Sequence, residues 1–259
     1  MELIATSELT LAVTDLGQGA PLLLCHPYLL DSTVFDGQLE SLGRERRLIL
    51  VDFPGFGHSP KPQGDVSFAV YAKALREVLA RKQIARVDAL GLSMGSYALL
   101  ELQRQAPLML RRLVLVGARA GLASSEQKAR HEAAARRVKT EGIGWLEEVW
   151  VPILLRANPE LPARRIVSHI LRRASPQGVA AAALALAGRE DQTNVMRTLT
   201  CSTLIVQGAD DRATSLAEAE ALTRLIPQAQ LEVLTGAGHL ANVDEPERFN
   251  RLVVSFLQS

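Results

Sequence analysis

Ser93 lies in the stretch Gly91-Leu-Ser-Met-Gly95, with a short apolar run from Val87 before it and an amphipathic segment through Gln105 after it. A strand that turns tightly into a helix puts the serine at a strained apex, with its hydroxyl projecting toward solvent. The flanking glycines leave room where strand and helix approach closely. A hydroxyl is a poor nucleophile until a base takes its proton, and that base needs a third group to fix its tautomer. The sequence must therefore also supply a histidine and an acid.

Of the five histidines, His239 is the best placed, because Leu234-Thr-Gly-Ala-Gly-His-Leu240 follows an apolar run with a glycine-rich loop that ends in the imidazole. His131 and His169 fall in a helical stretch and read as surface residues, and His58, in a turn-rich loop, is a lesser candidate. For the acid, Val206-Gln-Gly-Ala-Asp-Asp-Arg212 offers Asp210 and Asp211 side by side, and the plainer alternative is two loop aspartates that make turns. Serine, acid, histidine, each just past a predicted strand, is the chain order of one acyl-transfer fold.

The elements that must carry these residues are legible in the apolar pattern. Residues 2 to 15 alternate around Leu9, Leu11 and Val13, which predicts antiparallel strands with one solvated face. Pro21 to Cys25, Arg46 to Val51, the run from Val87, Leu113 to Gly117, Thr203 to Gln207 and Gln230 to Leu234 predict further strands, the continuous apolar runs among them covered on both sides. Helical spacing is found over Thr33 to Leu42, Phe68 to Arg81, Gly95 to Gln105, Leu216 to Leu225 and Pro246 to Leu257. Alternation with short links predicts an α/β protein, with a mostly parallel central sheet and helices on both faces. Residues 121–200 break the pattern, being rich in alanine and arginine without a strand-like run. They are expected to form a helical cap inserted after the sixth strand, over the carboxyl ends of the strands, with residues 1–120 and 201–259 as the core.

Composition narrows the function classes. Lys and Arg number 29 against 28 acids, which leaves no electrostatic footprint for nucleic acid or an anionic membrane. The N-terminal residues lack a basic stretch followed by an apolar one, and no apolar run approaches the ~18 residues of a membrane span, so a cytoplasmic protein is expected. Cys25 and Cys201 are too few for a disulfide framework and each adjoins an apolar run. No Cys/His spacing suggests zinc.

Four signatures occur in sequence that resemble those of the α/β-hydrolase superfamily: His26-Pro27-Tyr28, Asp52-Phe-Pro-Gly-Phe-Gly-His-Ser59, Gly91 to Gly95, and Gly208-Ala-Asp-Asp211 with Gly236-Ala-Gly-His239. The likeness spans nearly the whole chain, and Gly236 to Glu247 is most similar to the enol-lactonase and carboxylesterase branch. The resemblance implies a triad of Ser93, Asp211 and His239, since the family's acid stands three residues after the glycine that is here Gly208. It implies an oxyanion hole formed by the backbone N–H groups of Tyr28 and Met94. Pro27 stands where the family carries glycine, at a position that need not donate, and Ser215 where a proline is usual.

The resemblance further implies hydrolysis of a small ester or lactone through an acyl-enzyme, with no cofactor and no metal. Aspartate at the elbow would mark a dehalogenase or epoxide hydrolase, and Ser93 argues against both. Cofactor-free haloperoxidase or perhydrolase chemistry, amide cleavage and C–C bond hydrolysis use the same triad and stay open, as does a receptor-like protein with little turnover. No nucleic-acid or membrane partner is expected, and the sequence is silent on oligomeric state. Specificity is expected from the helical insertion, with His26, Trp145, Trp150 and Leu240 as candidate pocket residues. The tryptophans, at helical spacing, fit the core of the insertion better than the pocket. The twelve basic residues of 121–200 against eight acidic ones suit an acidic substrate or merely a solvated surface.

Overall fold

The computed structural model describes residues 1–258. Among them the chain runs β1 (Glu2–Ala5), β2 (Thr10–Leu16), β3 (Ala20–Cys25), α1 (Asp36–Gly43), β4 (Arg46–Asp52), α2 (Phe68–Arg81), β5 (Val87–Leu92), α3 (Met94–Gln105) and β6 (Leu110–Val116). Five helices follow: α4 (Ser125–Glu141), α5 (Leu146–Leu154), α6 (Leu161–Leu171), α7 (Pro176–Ala187) and α8 (Thr193–Arg197). The chain then closes with β7 (Ser202–Gly208), α9 (Leu216–Leu225), β8 (Gln230–Leu234), α10 (Ala241–Asp244) and α11 (Pro246–Gln258).

The eight strands form one sheet in the order β1-β2-β4-β3-β5-β6-β7-β8, antiparallel at β1/β2 and β2/β4 and parallel throughout the rest. β3, β5 and β6 bury runs such as Leu22-Leu23-Leu24 and Leu113 to Val116 completely, because helices cover both faces. From β3 the chain moves one way to β4, and with β5 it returns to pair on the other side of β3. Loops leaving the carboxyl ends of β3 and β5 therefore diverge, which opens a crevice at that end of the sheet. Among the described residues, no helix is long and apolar enough to cross a membrane.

Three local features depart from the sequence pattern. The expected helix over Thr33 to Leu42 divides into a 3-10 turn, Ser32–Phe35, and α1, because the Asp31 side chain accepts the Thr33 N–H (3.0 Å) and starts its own turn. β6 begins at Leu110 rather than Leu113, with Arg111 and Arg112 inside the strand. Their charges hide it from an apolar search. α10, of four residues, is too short to show periodicity.

Those arginines serve the opposite end of the sheet from the crevice. Asp88, fully buried near the start of β5, accepts Arg111 Nε at 3.2 Å and Nη2 at 2.9 Å, and also pairs with Arg46 at the start of β4. Arg46 reaches on to the Leu257 carbonyl of α11. One carboxylate thus joins β4, β5 and β6 where no chemistry is expected. Removing it leaves partly buried guanidinium groups without a counter-charge, a loss of about 3–5 kcal/mol for such pairs. We expect Asp88→Ala to lower the urea midpoint accordingly while the folded fraction keeps its kcat/KM.

Candidate active site

Ser93 has φ 51° and ψ −107°, in the left-handed region that non-glycine residues avoid. Its backbone is held there from both sides: Ser93 N–H donates to the Val116 carbonyl of β6 (2.7 Å) and Ser96 N–H to the Ser93 carbonyl (2.9 Å). Ser96 Oγ–H closes the turn on the Gly91 carbonyl at 2.6 Å. Gly95 packs directly on β3, where a Cβ would overlap the Cys25 carbonyl. The glycines around the serine therefore let α3 lie against the sheet.

His239, four per cent exposed, follows β8, and its Nδ1–H donates to Asp211 Oδ2 at 2.8 Å. The Asp211 side chain is buried and also accepts Ala213 N–H at 2.7 Å, Thr214 N–H at 2.9 Å and Gln207 Nε2 at 3.1 Å. Burial works to raise the Asp211 carboxyl, but the His239 ring and these backbone donors outweigh it and hold the group below the ordinary carboxylate value. Asp210, exposed, only donates its backbone N–H to the Ala237 carbonyl. The Asp211 bond leaves His239 Nε2 as the unprotonated nitrogen, available to a hydroxyl. Gly117, at the end of β6 with φ 56°, makes room for the ring, since a Cβ there would lie 2.7 Å from His239 Cε1.

Ser93, Tyr28, His239 and Trp150 line one cavity of about 90 Å³ between the sheet and the inserted helices. No hydrogen bond joins Ser93 to His239 among the described residues, and such contacts commonly tighten only with substrate. The backbone N–H groups of Tyr28 and Met94 have no acceptor among the described residues. Pro27 does not need a glycine-like backbone, because the positive φ of this loop falls on Leu29 (73°).

Other expected pocket residues lie elsewhere. His26 is fully buried, donates Nδ1–H to the Pro27 carbonyl (2.8 Å) and accepts Phe53 N–H at Nε2 (2.8 Å). Burial depresses its basicity. It ties the Tyr28 loop to the loop after β4 and does not line the cavity. Leu240 is buried and donates its N–H to the Leu154 carbonyl of α5, while Trp145 packs on the core with Arg137 stacked 4.2 Å from its ring centroid. Of the two tryptophans, Trp150 alone lines the cavity, with Tyr28 edge-on at 5.5 Å.

His131 corrects the surface reading. Its ring meets Tyr28 at 5.9 Å, lines the cavity, and is pushed down to about 4 by burial and by Arg130, Arg119 and Arg189. His169 is exposed as expected. Arg119, Arg189 and Asp244 also escaped the sequence reading. Asp244 accepts Gly238 N–H (2.8 Å) and Arg156 N–H (2.9 Å), which fastens the His239 loop to the segment after α5. Its position five residues past the histidine is the only signal that could have marked it. Among the described residues, no group of three or more His, Cys, Asp or Glu side chains is arranged to hold a metal ion.

Comparison with known proteins agrees with this architecture. A family model described as the alpha/beta hydrolase fold matches residues 20–246. A thermophilic esterase from Thermogutta terrifontis, solved with malate bound, superposes with a TM-score of 0.95 at 33% identity, covering 100% of this chain and 98% of that one. The 2-hydroxymuconate semialdehyde hydrolase of Pseudomonas putida is 31% identical over 94% of this chain and 89% of its own length. The enol-lactonase from Burkholderia xenovorans LB400 shares the fold with a TM-score of 0.93 at 22% identity, covering 100% of both chains. A mostly parallel sheet with a strained serine after its fifth strand, and a family match over most of the length, lead to one conclusion: the chain belongs to the α/β-hydrolase family.

Proposed function

We propose that the protein hydrolyses carboxylic esters or lactones through an acyl-enzyme on Ser93. The observation that carries this reading is the strained Ser93 facing the same cavity as a histidine whose other nitrogen is fixed by a buried carboxylate. His239 Nε2 takes the hydroxyl proton as Ser93 Oγ attacks the carbonyl carbon, and Asp211 stabilises the imidazolium that forms. The N–H groups of Tyr28 and Met94 receive the oxyanion. His239 then gives its proton to the leaving alkoxide, and next activates the water that releases the acid. The likeness to the Thermogutta esterase supports ester cleavage.

A second reading is C–C bond hydrolysis, favoured by the 31% identity to the semialdehyde hydrolase. It would use the same residues on a vinylogous ketone. Parallel turnover of a methyl ester panel and of a 2-hydroxy-6-oxo-dienoate separates the two, since the better kcat/KM identifies the bond. The residues 121–200 act in either case as a cap that shapes the cavity, and a cytoplasmic location suits small-molecule substrates.

Ser93→Ala should reduce ester turnover by about 10⁶-fold, in effect to background, with unchanged circular dichroism. Asp211→Asn should cost about 10⁴-fold in kcat by presenting the wrong imidazole tautomer. Rate against pH should rise as the imidazole loses its proton and then level, because only the neutral ring can accept the serine proton. Stability has its own pH sign. With the Asp211 carboxyl held low in the folded state, its contribution is complete above the unfolded carboxylate range of about 4 and is lost as pH falls through the folded value. Urea titrations of wild type and Asp211→Asn should therefore converge in acid and diverge at neutral pH.

A further inference from the structure

The cavity beside Ser93 carries more polar capacity than the triad uses. Arg189 is four per cent exposed, lines the cavity, and has an Nη1 with no hydrogen-bond partner among the described residues. No carboxylate lies within ion-pair distance of it among the described residues. Buried charges are as a rule paired, because desolvation is costly and a guanidinium cannot escape by losing its proton. Tyr28 Oη, His131 Nδ1 and Trp150 Nε1, on residues lining the same cavity, are also buried without partners. Four such groups around one space point to a ligand, since buried polar atoms are nearly always satisfied.

The arginine is also held in place. Gly188 ends α7 and Arg189 follows at once, with its guanidinium stacked 4.1 Å from the centroid of the Tyr97 ring. Gln192, three residues on and buried, donates Nε2–H to the Tyr97 carbonyl at 2.9 Å, which fastens this segment to α3. Arg119 joins it on the cavity wall, held by Glu218 at 3.1 Å, and the more exposed Arg130 stands in the lining with its own partner, Glu126. Arg189 differs from both in having no acid at ion-pair distance, since Asp191, two residues on, acts on it only from further away and is itself bonded to Thr193. Tyr97 is one turn along α3 from Ser93, about 6 Å of helix rise, so an anion on Arg189 lies a short chain away from a carbonyl at Ser93.

We propose that Arg189 is the carboxylate-binding residue of the substrate site, and that the preferred substrates are short-chain esters bearing a free carboxylate. A guanidinium presents paired N–H donors that match a carboxylate, and a ligand of this kind gives the buried charge its missing partner. A cavity of about 90 Å³ suits a small acyl group rather than a long apolar one. The turnover assay rests on the ester-hydrolase reading, whereas the binding assay does not.

Monomethyl and dimethyl glutarate share a carbon skeleton and differ in one negative charge, so acid release from each by the wild-type enzyme tests the proposal without any variant. We expect kcat/KM about 100-fold higher for the monoester. Arg189→Met should erase that preference, the monoester losing about 100-fold in kcat/KM and the diester far less, with a Tm equal to or above wild type, because an unpaired buried charge has gone. Equal rates on the two esters, or an Arg189→Met loss shared equally by both, would overturn the proposal. Calorimetry of succinate, glutarate and adipate on Ser93→Ala gives the second readout. Binding of at least one diacid, weakened at least tenfold by adding Arg189→Met or Arg189→Gln, supports the site even where no ester is turned over. No binding, or binding indifferent to the arginine, overturns it.

Discussion

The whole arrangement depends on the close contact between α3 and the end of β3, where Gly95 lies against the Cys25 carbonyl. That contact forces the chain to turn within one residue after β5, and Ser93 takes the strain at φ 51°. A non-glycine residue in this region costs on the order of 1–3 kcal/mol, which the surrounding structure must offset. It does so with hydrogen bonds from both neighbouring elements, Ser93 N–H to Val116 and Ser96 to Gly91 and Ser93. The strain has a chemical use: a hydroxyl at the apex of a sharp turn is presented outward, and the N–H of Met94 at the first turn of α3 is left for a ligand. Without the tight helix packing, serine and donor would not face the same point.

Everything else at this end of the sheet is placed relative to that apex by strand order. β3 and β6 flank β5, so the Tyr28 loop and Gly117 arrive beside Ser93, and β7 and β8 bring Asp211 and His239 from further along. The inserted helices are fastened over them at a few polar points. Arg173 pairs with buried Asp31 at 3.0 Å, Ser175 Oγ–H donates to the Gly55 carbonyl at 2.8 Å, and Asp244 holds Arg156. A buried ionic clamp, by contrast, lies at the far end, where Asp88 joins three strands. A fold that separates its clamp from its chemistry can strain one end without loosening the other.

What could be read from the sequence depends on how local each signal is. The strand and helix pattern depends on neighbours a few residues apart, so α2, α9 and β8 coincide with their apolar periods. Charged residues inside β6 escape because tertiary pairing shapes them, and the Asp31 turn before α1 escapes because a single side-chain cap, not periodicity, sets it. The same distinction divides the site. Ser93 announces itself through its own glycines, whereas the His26 imidazole stands two residues before Tyr28 in sequence but takes its second partner from Phe53, after β4. His131 sits among arginines and alanines on a helix that looks solvated, and it is covered where its ring meets Tyr28 at the cavity. Arg189 resembles every other arginine of the insertion. Only the fold shows that it stacks on Tyr97 and has no acid at ion-pair distance.

These placements have an electrostatic consequence for the chemistry. Arg119, Arg130 and Arg189 line the cavity, and the nearby Asp211 carboxylate is already engaged by His239. Such a field favours a developing oxyanion, which helps the attack of Ser93. Burial, with Arg130, Arg119 and Arg189 adding to it, holds the His131 ring down to about 4. An anion carried in by the substrate would cancel part of the field near Tyr97 while the N–H groups of Tyr28 and Met94 still receive the oxyanion. The substrate's own charge would then complete the site electrostatically by giving Arg189 the partner it lacks at ion-pair distance.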